Sequence, residues 1–195
     1  MLNPASFKST FRSHLIAHNR PHLDDFQKWL FLPGMLFNSR EKWWGTNGAR
    51  PAPHEGIDLC SFEDSHGKSQ NLDRHTRIPA VFAGEIMKIE RDFLGQSIYI
   101  RHQIFDDRER QLYSAYGHTR PLDALHPGTQ VAEGEVIATI SDLFRTQPDI
   151  LVHVHITFAW VPVALEAGDL NWENLGKNSH ITLIDPLGVL EGDSP

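Results

Sequence analysis

The sequence predicts a mainly β fold, an antiparallel sandwich or open sheet, with a short helical extension at its N-terminus. Three observations carry this. From Ile78 onward, short segments alternate apolar and polar residues, the period of a half-buried strand. Turn residues punctuate these segments, among them Gly84, Gly95, Pro127-Gly128 and Gly134. Helical spacing occurs only in the first third of the chain.

A weak helix is expected within Ser6 to His18. A second is expected over Leu23 to Leu32, where Phe26, Trp29 and Leu30 recur at helical intervals and Pro33-Gly34 stops the run. Residues 34–53 read as irregular, with Trp43-Trp44-Gly45 and Pro51-Ala52-Pro53. Phe26, Trp29, Phe31, Trp43 and Trp44 are expected to pack on the β core, because aromatic side chains bury large areas. An exposed Trp43-Trp44 pair beside His54 would instead mark a ligand surface.

Strands are then expected in order. Ala80-Val81-Phe82 leads to Gly84 and to the alternating Glu85 to Ile89. Ser97 to Arg101 follows Gly95, and a charged turn, Asp106 to Arg110, precedes Leu112 to Tyr116. Val136 to Ile140, the apolar run Ile150 to Phe158, and Ile181 to Ile184 complete the set. Ser61 to Arg77 and Pro162 to Ser179 read as long loops, of the kind that border sites. The division that follows is an extension over 1–45, packed on the core, and a β domain over 46–195.

Composition excludes some functions. At 195 residues with net charge -7, the chain lacks the clustered cations of a general nucleic-acid binder. The single cysteine, Cys60, makes an intrachain disulfide and a Cys-type zinc site impossible, and it reads as a buried thiol. No apolar core of a secretory leader stands in Met1 to Arg20, and no stretch near the front is long enough to span a bilayer. The expectation is a soluble protein that stays in the cytoplasm.

Two histidine motifs carry the chemistry. The first is His54-Glu55-Gly56-Ile57-Asp58, and the second is His153-Val154-His155. Residues two apart on a strand share one face, so His153 and His155 are expected to enter one site. His54, Asp58 and one histidine of the pair would form the three-ligand set of a catalytic zinc, with a position left for water. Such nitrogen-rich ligands suit zinc better than calcium or magnesium. Gly56 would let backbone pack close to the metal. The other histidine of the pair and His118, in Tyr116-Gly117-His118, are candidates for proton transfer. His14, His18, His22, His66, His75 and His180 read as surface residues, and His102 and His126 as structural.

In the order and spacing of these motifs, from about His54 to Leu190, the chain resembles the lysostaphin-type (LytM and β-lytic) zinc metallopeptidases. Phe82 to Ile86, Val131 to Ala138 and Asp185-Pro186 resemble that family's intervening segments. The resemblance implies the duplicated-hybrid-motif type of β fold, with a groove floored by the sheet. It implies one Zn2+ per chain on His54, Asp58 and His155, with His118 and His153 flanking the reacting water. The substrate implied is a peptide of bacterial peptidoglycan, stem or cross-bridge, which would place the protein outside the cytoplasm. Two alternatives stand beside it. One is a phosphocarrier module of the glucose-type sugar-uptake system, whose His-x-Gly-x-Asp sequence His54 to Asp58 echoes. The other is a zinc-binding but inactive regulatory domain.

Overall fold

β-branched and aromatic residues dominate from Ile57 onward, and they pair into one large antiparallel sheet. The computed structural model describes residues 8–45, 48–146, 149–165, 168 and 170–191. The sheet is built from β2 (Ile57–Leu59), β5 (Arg77–Pro79), β6 (Gly84–Arg91), β7 (Gln96–Phe105), β8 (Arg110–Pro121), β9 (Gln130–Val131), β10 (Val136–Ile140), β11 (Val154–Pro162) and β12 (Thr182–Ile184). Its main order is β12-β11-β8-β7-β6-β9, with β2 paired to β11, and β10 to both β8 and β5.

Both faces of the sheet are covered. Ile86, Ile98, Ile100, Leu112, Ile156 and Phe158 point into the larger core. Tyr99, Tyr113, Ala115, Ala159 and Val161 point to the other face, into a smaller core. Alternation therefore sorts apolar residues between two cores, which is why β11 is apolar almost throughout. The smaller core is closed by Leu170 and by Leu175 of α2 (Trp172–Lys177). That helix lies within Pro162 to Ser179, which was expected to be a loop. Its start is capped by Asn171, whose side chain accepts from the Asn174 N–H at 2.8 Å.

The N-terminal segment joins the larger core. α1 (Phe11–His18) lies within the expected Ser6 to His18 helix, although Ser6 and Phe7 fall outside the described residues. It buries Phe11 and Leu15. Asn19 fastens its end to β5: its side chain accepts from the Arg77 N–H at 2.7 Å and donates to the Arg77 carbonyl at 2.9 Å. His14 and His18, expected at the surface, are half-buried beside the Gly134 turn, where His18 Nε2 meets the Gly134 carbonyl at 2.8 Å.

The expected helix over Leu23 to Leu32 is instead a strand, β1 (Phe26–Leu30), antiparallel to β3 (Ser61–Asp64). A bulge between Phe26 and Lys28 adds one residue to β1, so Phe26 and Trp29 face the same way although three apart. The bulge imitates helical spacing. The Phe26 ring meets Trp29 edge-on at 4.9 Å and stacks on Phe62 at 5.3 Å, and Phe62 is the partner of Trp29 across the pair.

Ser61 to Arg77 is likewise no loop. It holds β3 and β4 (Ser69–Asn71), a hairpin whose turn is held by Asp64 accepting from the His66 and Lys68 N–H groups, both at 2.9 Å. Every residue of β4 is exposed and polar, so it carries no alternation to read. The strand expected at Ala80 to Phe82 lies one step upstream, as β5. Val81 donates its N–H to the Tyr116 hydroxyl at 2.8 Å rather than to a neighbouring strand. The described residues of 34–53 are irregular as expected, apart from a 3-10 turn at Pro33–Met35 and an isolated Glu41–Ala49 bridge. A last short helix, α3 (Leu187–Leu190), buries Val189 and Leu190. Among the described residues no helix is long and apolar enough to cross a membrane.

Candidate metal centre and active site

The register of three strands assembles the site. In β11, His155 stands opposite Asp58 of β2 on one side and opposite Gly117 of β8 on the other. Ile57 and Leu59 point into the larger core, so Asp58 between them points to the opposite face, where His155 also points. His54 precedes β2 and is held by two backbone bonds: its N–H to the Ser39 carbonyl at 2.9 Å, and its carbonyl to the Asn38 N–H at 2.8 Å. Gly56 must be glycine here, since a Cβ would lie 2.7 Å from His155 Nε2.

Three side-chain atoms converge. His54 Nε2 lies 3.0 Å from His155 Nδ1 and 3.3 Å from Asp58 Oδ1, and His155 Nδ1 lies 2.9 Å from the same oxygen. All three residues are buried. Each is held from behind. His54 Nδ1 is 3.1 Å from the Leu36 carbonyl, which can only accept, so the neutral ring carries its proton there and its lone pair on Nε2. His155 Nε2 is 2.8 Å from Thr157 Oγ1, which leaves Nδ1 for the cluster. Asp58 Oδ2 accepts from the Trp43 indole at 2.7 Å and lies 3.6 Å from the Arg50 guanidinium. His54 Nε2, His155 Nδ1 and Asp58 Oδ1 thus crowd together with their other atoms occupied. Such an arrangement needs a shared proton or a cation between them, and its donor set suits zinc.

Electrostatics favour the same state. Burial alone would raise the Asp58 carboxyl, but His153, His54 and the His155 hydrogen bond outweigh it and hold it well below the usual carboxylate range. Burial lowers His155 and pushes His153 down to about 4, against the opposing pull of Asp58. Near neutral pH the Asp58 carboxylate therefore faces neutral His153 and His155 rings, the forms of these groups that bind metal.

The two flanking histidines reach the cluster differently. His153 lies just before β11, two residues from His155 and on the same side. Its Nδ1 bonds the Leu151 carbonyl at 2.7 Å, and its Nε2 lies 3.8 Å from Asp58 Oδ1. His118 requires a bulge. Regular alternation would give it the face of Tyr116, which lies in the larger core. Between Tyr116 and Thr119, β8 gains one residue relative to β7, and His118 takes a left-handed φ of 63°. The ring then swings to the site, 4.9 Å from the His153 ring and 6.1 Å from the His155 ring, centroid to centroid. All five residues singled out in the sequence line one cleft of about 260 Å³.

Residues 53–165, more than half of the chain, match the family model for peptidase family M23. The chain belongs to peptidase family M23. This is the lysostaphin-type family that the motif order resembles, and the antiparallel sheet is its fold. No curated protein sequence matches the chain. Several solved structures resemble it at low identity. A chain of the SpoIIIAH–SpoIIQ complex is 16% identical over 84% of this chain and 89% of that one, with a TM-score of 0.42. Lysostaphin is 14% identical over 80% and 54%, with a TM-score of 0.44. A mutant catalytic domain of the prophage-encoded M23 protein EnpA from Enterococcus faecalis is 17% identical over 74% and 97%, with a TM-score of 0.39. These are likenesses of fold.

Five residues at this cleft are not singled out as site residues by the sequence. Asp92, in the turn between β6 and β7, lies 3.2 Å from His118 Nδ1. Nothing in Asp92-Phe93-Leu94-Gly95 distinguishes it from an ordinary turn aspartate. Trp172 was assigned to a loop, yet it stands edge-on to the His155 ring at 4.8 Å. Trp43 and Trp44 were expected in the core. They are half-buried at the site instead: Trp43 bonds Asp58 and meets the His153 ring at 5.0 Å, and Trp44 stacks on Arg50 at 4.3 Å. Trp43, with its indole N–H on Asp58, belongs to neither apolar core, and the half-buried pair is not the exposed surface of the alternative reading either. Arg50 carried no signal; its role depends on the fold of the 34–53 segment. Its guanidinium also donates to the Gly34 carbonyl at 3.0 Å and to the Glu41 carbonyl at 3.1 Å.

Proposed function

We propose that this M23 chain is a zinc-dependent metalloendopeptidase that holds one ion and hydrolyses peptide bonds of cell-wall peptidoglycan, in the stem or the cross-bridge. The observation that carries this reading is the convergence of His54 Nε2, Asp58 Oδ1 and His155 Nδ1, with two further imidazoles on the same cleft. A zinc ion on those three atoms would supply Lewis acidity toward a water and a carbonyl. The remaining steps belong to the protein. His153, anchored at Nδ1 and kept neutral by burial, accepts the water's proton at Nε2. His118, anchored at Nδ1, turns Nε2 to the negative charge that develops on the carbonyl oxygen, and in its protonated form donates there. Trp44, Phe93 and Trp172 line the cleft and orient the peptide.

A phosphocarrier role fits less well. Asp58 Oδ1 lies 3.3 Å from His54 Nε2, where a phosphoryl group would have to attach and be repelled. The test is elemental analysis of the full chain together with digestion of purified peptidoglycan and mass identification of the fragments. The expected result is about one zinc per chain, release of peptide fragments, loss of zinc in His155→Ala, and loss of hydrolysis with zinc retained in His118→Ala. A zinc-loaded chain that releases nothing from peptidoglycan or from other peptides would leave the inactive zinc-binding reading in its place.

A further inference from the structure

Asp92 uses both carboxylate oxygens on the segment around His118. Oδ1 faces His118 Nδ1 at 3.2 Å and accepts from the Leu94 N–H at 2.9 Å. Oδ2 accepts from the His118 backbone N–H at 2.8 Å and from Ser97 Oγ at 2.6 Å. One carboxylate therefore grips the ring and the backbone of the same residue. That residue has the left-handed φ of 63°, a conformation that is unfavourable for a side-chain-bearing residue and persists only when its surroundings hold it. Ser97 Oγ in turn accepts from the Trp172 indole at 2.8 Å, and the Trp172 ring stands edge-on to His155. A continuous chain of contacts runs from His118 through Asp92, Ser97 and Trp172 to the third proposed ligand.

We propose that Asp92 is a positioning residue for hydrolysis: it keeps a hydrogen on His118 Nδ1 and directs Nε2 into the cleft, the atom that, once it also carries a proton, donates to the reacting carbonyl oxygen. This rests on the peptidase reading above. The physical ground is that a carboxylate is an acceptor only, so the Nδ1 that faces it must carry the hydrogen. In the neutral ring the lone pair is then on Nε2. A turn-stabilising role for Asp92 would need only the Leu94 and Ser97 bonds. The contacts to ring and backbone of His118 are what this assignment adds.

Asp92→Asn tests it. The amide has one acceptor oxygen where the carboxylate has two. Whichever way it turns, its NH2 group meets a backbone N–H, of Leu94 or of His118. Imidazole 15N resonances of the zinc-loaded full chain report the tautomer, and melting temperature and zinc content report fold and metal. The wild type is expected to carry the His118 proton on Nδ1. Asp92→Asn is expected to retain zinc, to change the His118 15N pattern, and to lose on the order of 100-fold in kcat with KM little changed. Ser97→Ala, which removes one bond to Asp92 and leaves the ring contact, is expected to lose less and to keep the wild-type tautomer, and it serves if Asp92→Asn does not fold. A wild-type ring protonated on Nε2 alone overturns the proposal, as does an Asp92→Asn chain with unchanged kcat and tautomer. If wild type hydrolyses no peptide, the peptidase reading fails, while the tautomer measurement still decides whether Asp92 orients the ring.

Discussion

Asp58 divides its two oxygens between different tasks. Oδ1 faces the two imidazoles, and Oδ2 is occupied by the Trp43 indole at 2.7 Å with the Arg50 guanidinium at 3.6 Å. Trp43 thereby fixes the carboxylate and would set the angle at which Asp58 meets the proposed ion, although it sits fifteen residues upstream and outside every strand. Outer contacts of this kind commonly change metal affinity 10–100-fold. Trp43→Phe keeps an aromatic ring against His153 and removes only the N–H. It is expected to weaken zinc binding by roughly that factor while leaving melting of the metal-free chain little changed. Competition with a chromophoric chelator measures it, and unchanged affinity would show that Arg50 alone orients the carboxylate.

At the scale of elements, α1 tests how the N-terminal segment serves the sheet. Leu15 is fully buried against the larger core, and Asn19 at the helix end is bonded to both polar groups of the Arg77 backbone. Leu15→Ala is expected to cost about 2–5 kcal/mol in urea denaturation, the range for emptying a buried leucine site. Zinc stoichiometry should be unchanged, because no residue of α1 lines the cleft. Legibility in the sequence follows the same physics. β6 to β8 and β10 to β12 are readable because apolar, β-branched and aromatic residues run between clear turn signals, even where both faces of a strand are buried, as in β8 and β11. β1 is not, since its bulge puts Phe26 and Trp29 on one side at a helix-like interval. β4 is not, since an exposed polar strand leaves no pattern. The proposed metal ligands are readable because a His-x-x-x-Asp motif and a histidine pair beside an apolar strand are unusual. Asp92 and Arg50 are not: aspartate in a turn and arginine in an irregular segment are commonplace, and only the fold brings them to the site.

For the molecule as a whole, the polar groups sealed inside the sheet determine how stability responds to acid. His102 is buried, with Nδ1 3.0 Å from the Ala83 carbonyl and Nε2 2.8 Å from Ser114 Oγ. Burial pushes it down to about 4 from an ordinary 6.5. The folded state thus prefers the neutral ring. Its contribution is fully present above pH 6.5 and is lost as pH falls toward 4, because the unfolded chain takes up the proton first. The full shift corresponds to about 3 kcal/mol. Between pH 7 and pH 4 the wild type should lose that much more stability than His102→Gln, followed by urea denaturation at each pH. Parallel losses in the two proteins would mean that the ring titrates as it does in water.

The pairing of β2 with β11, Asp58 beside His155, also governs when the centre can exist. During synthesis His54 and Asp58 leave the ribosome first and must wait for roughly a hundred residues to be added before their third partner emerges. Contacts so distant along the chain form late and slowly. A nascent or truncated polypeptide ending before β11 would therefore lack the third proposed ligand, and on the peptidase reading hydrolysis would await the finished sheet.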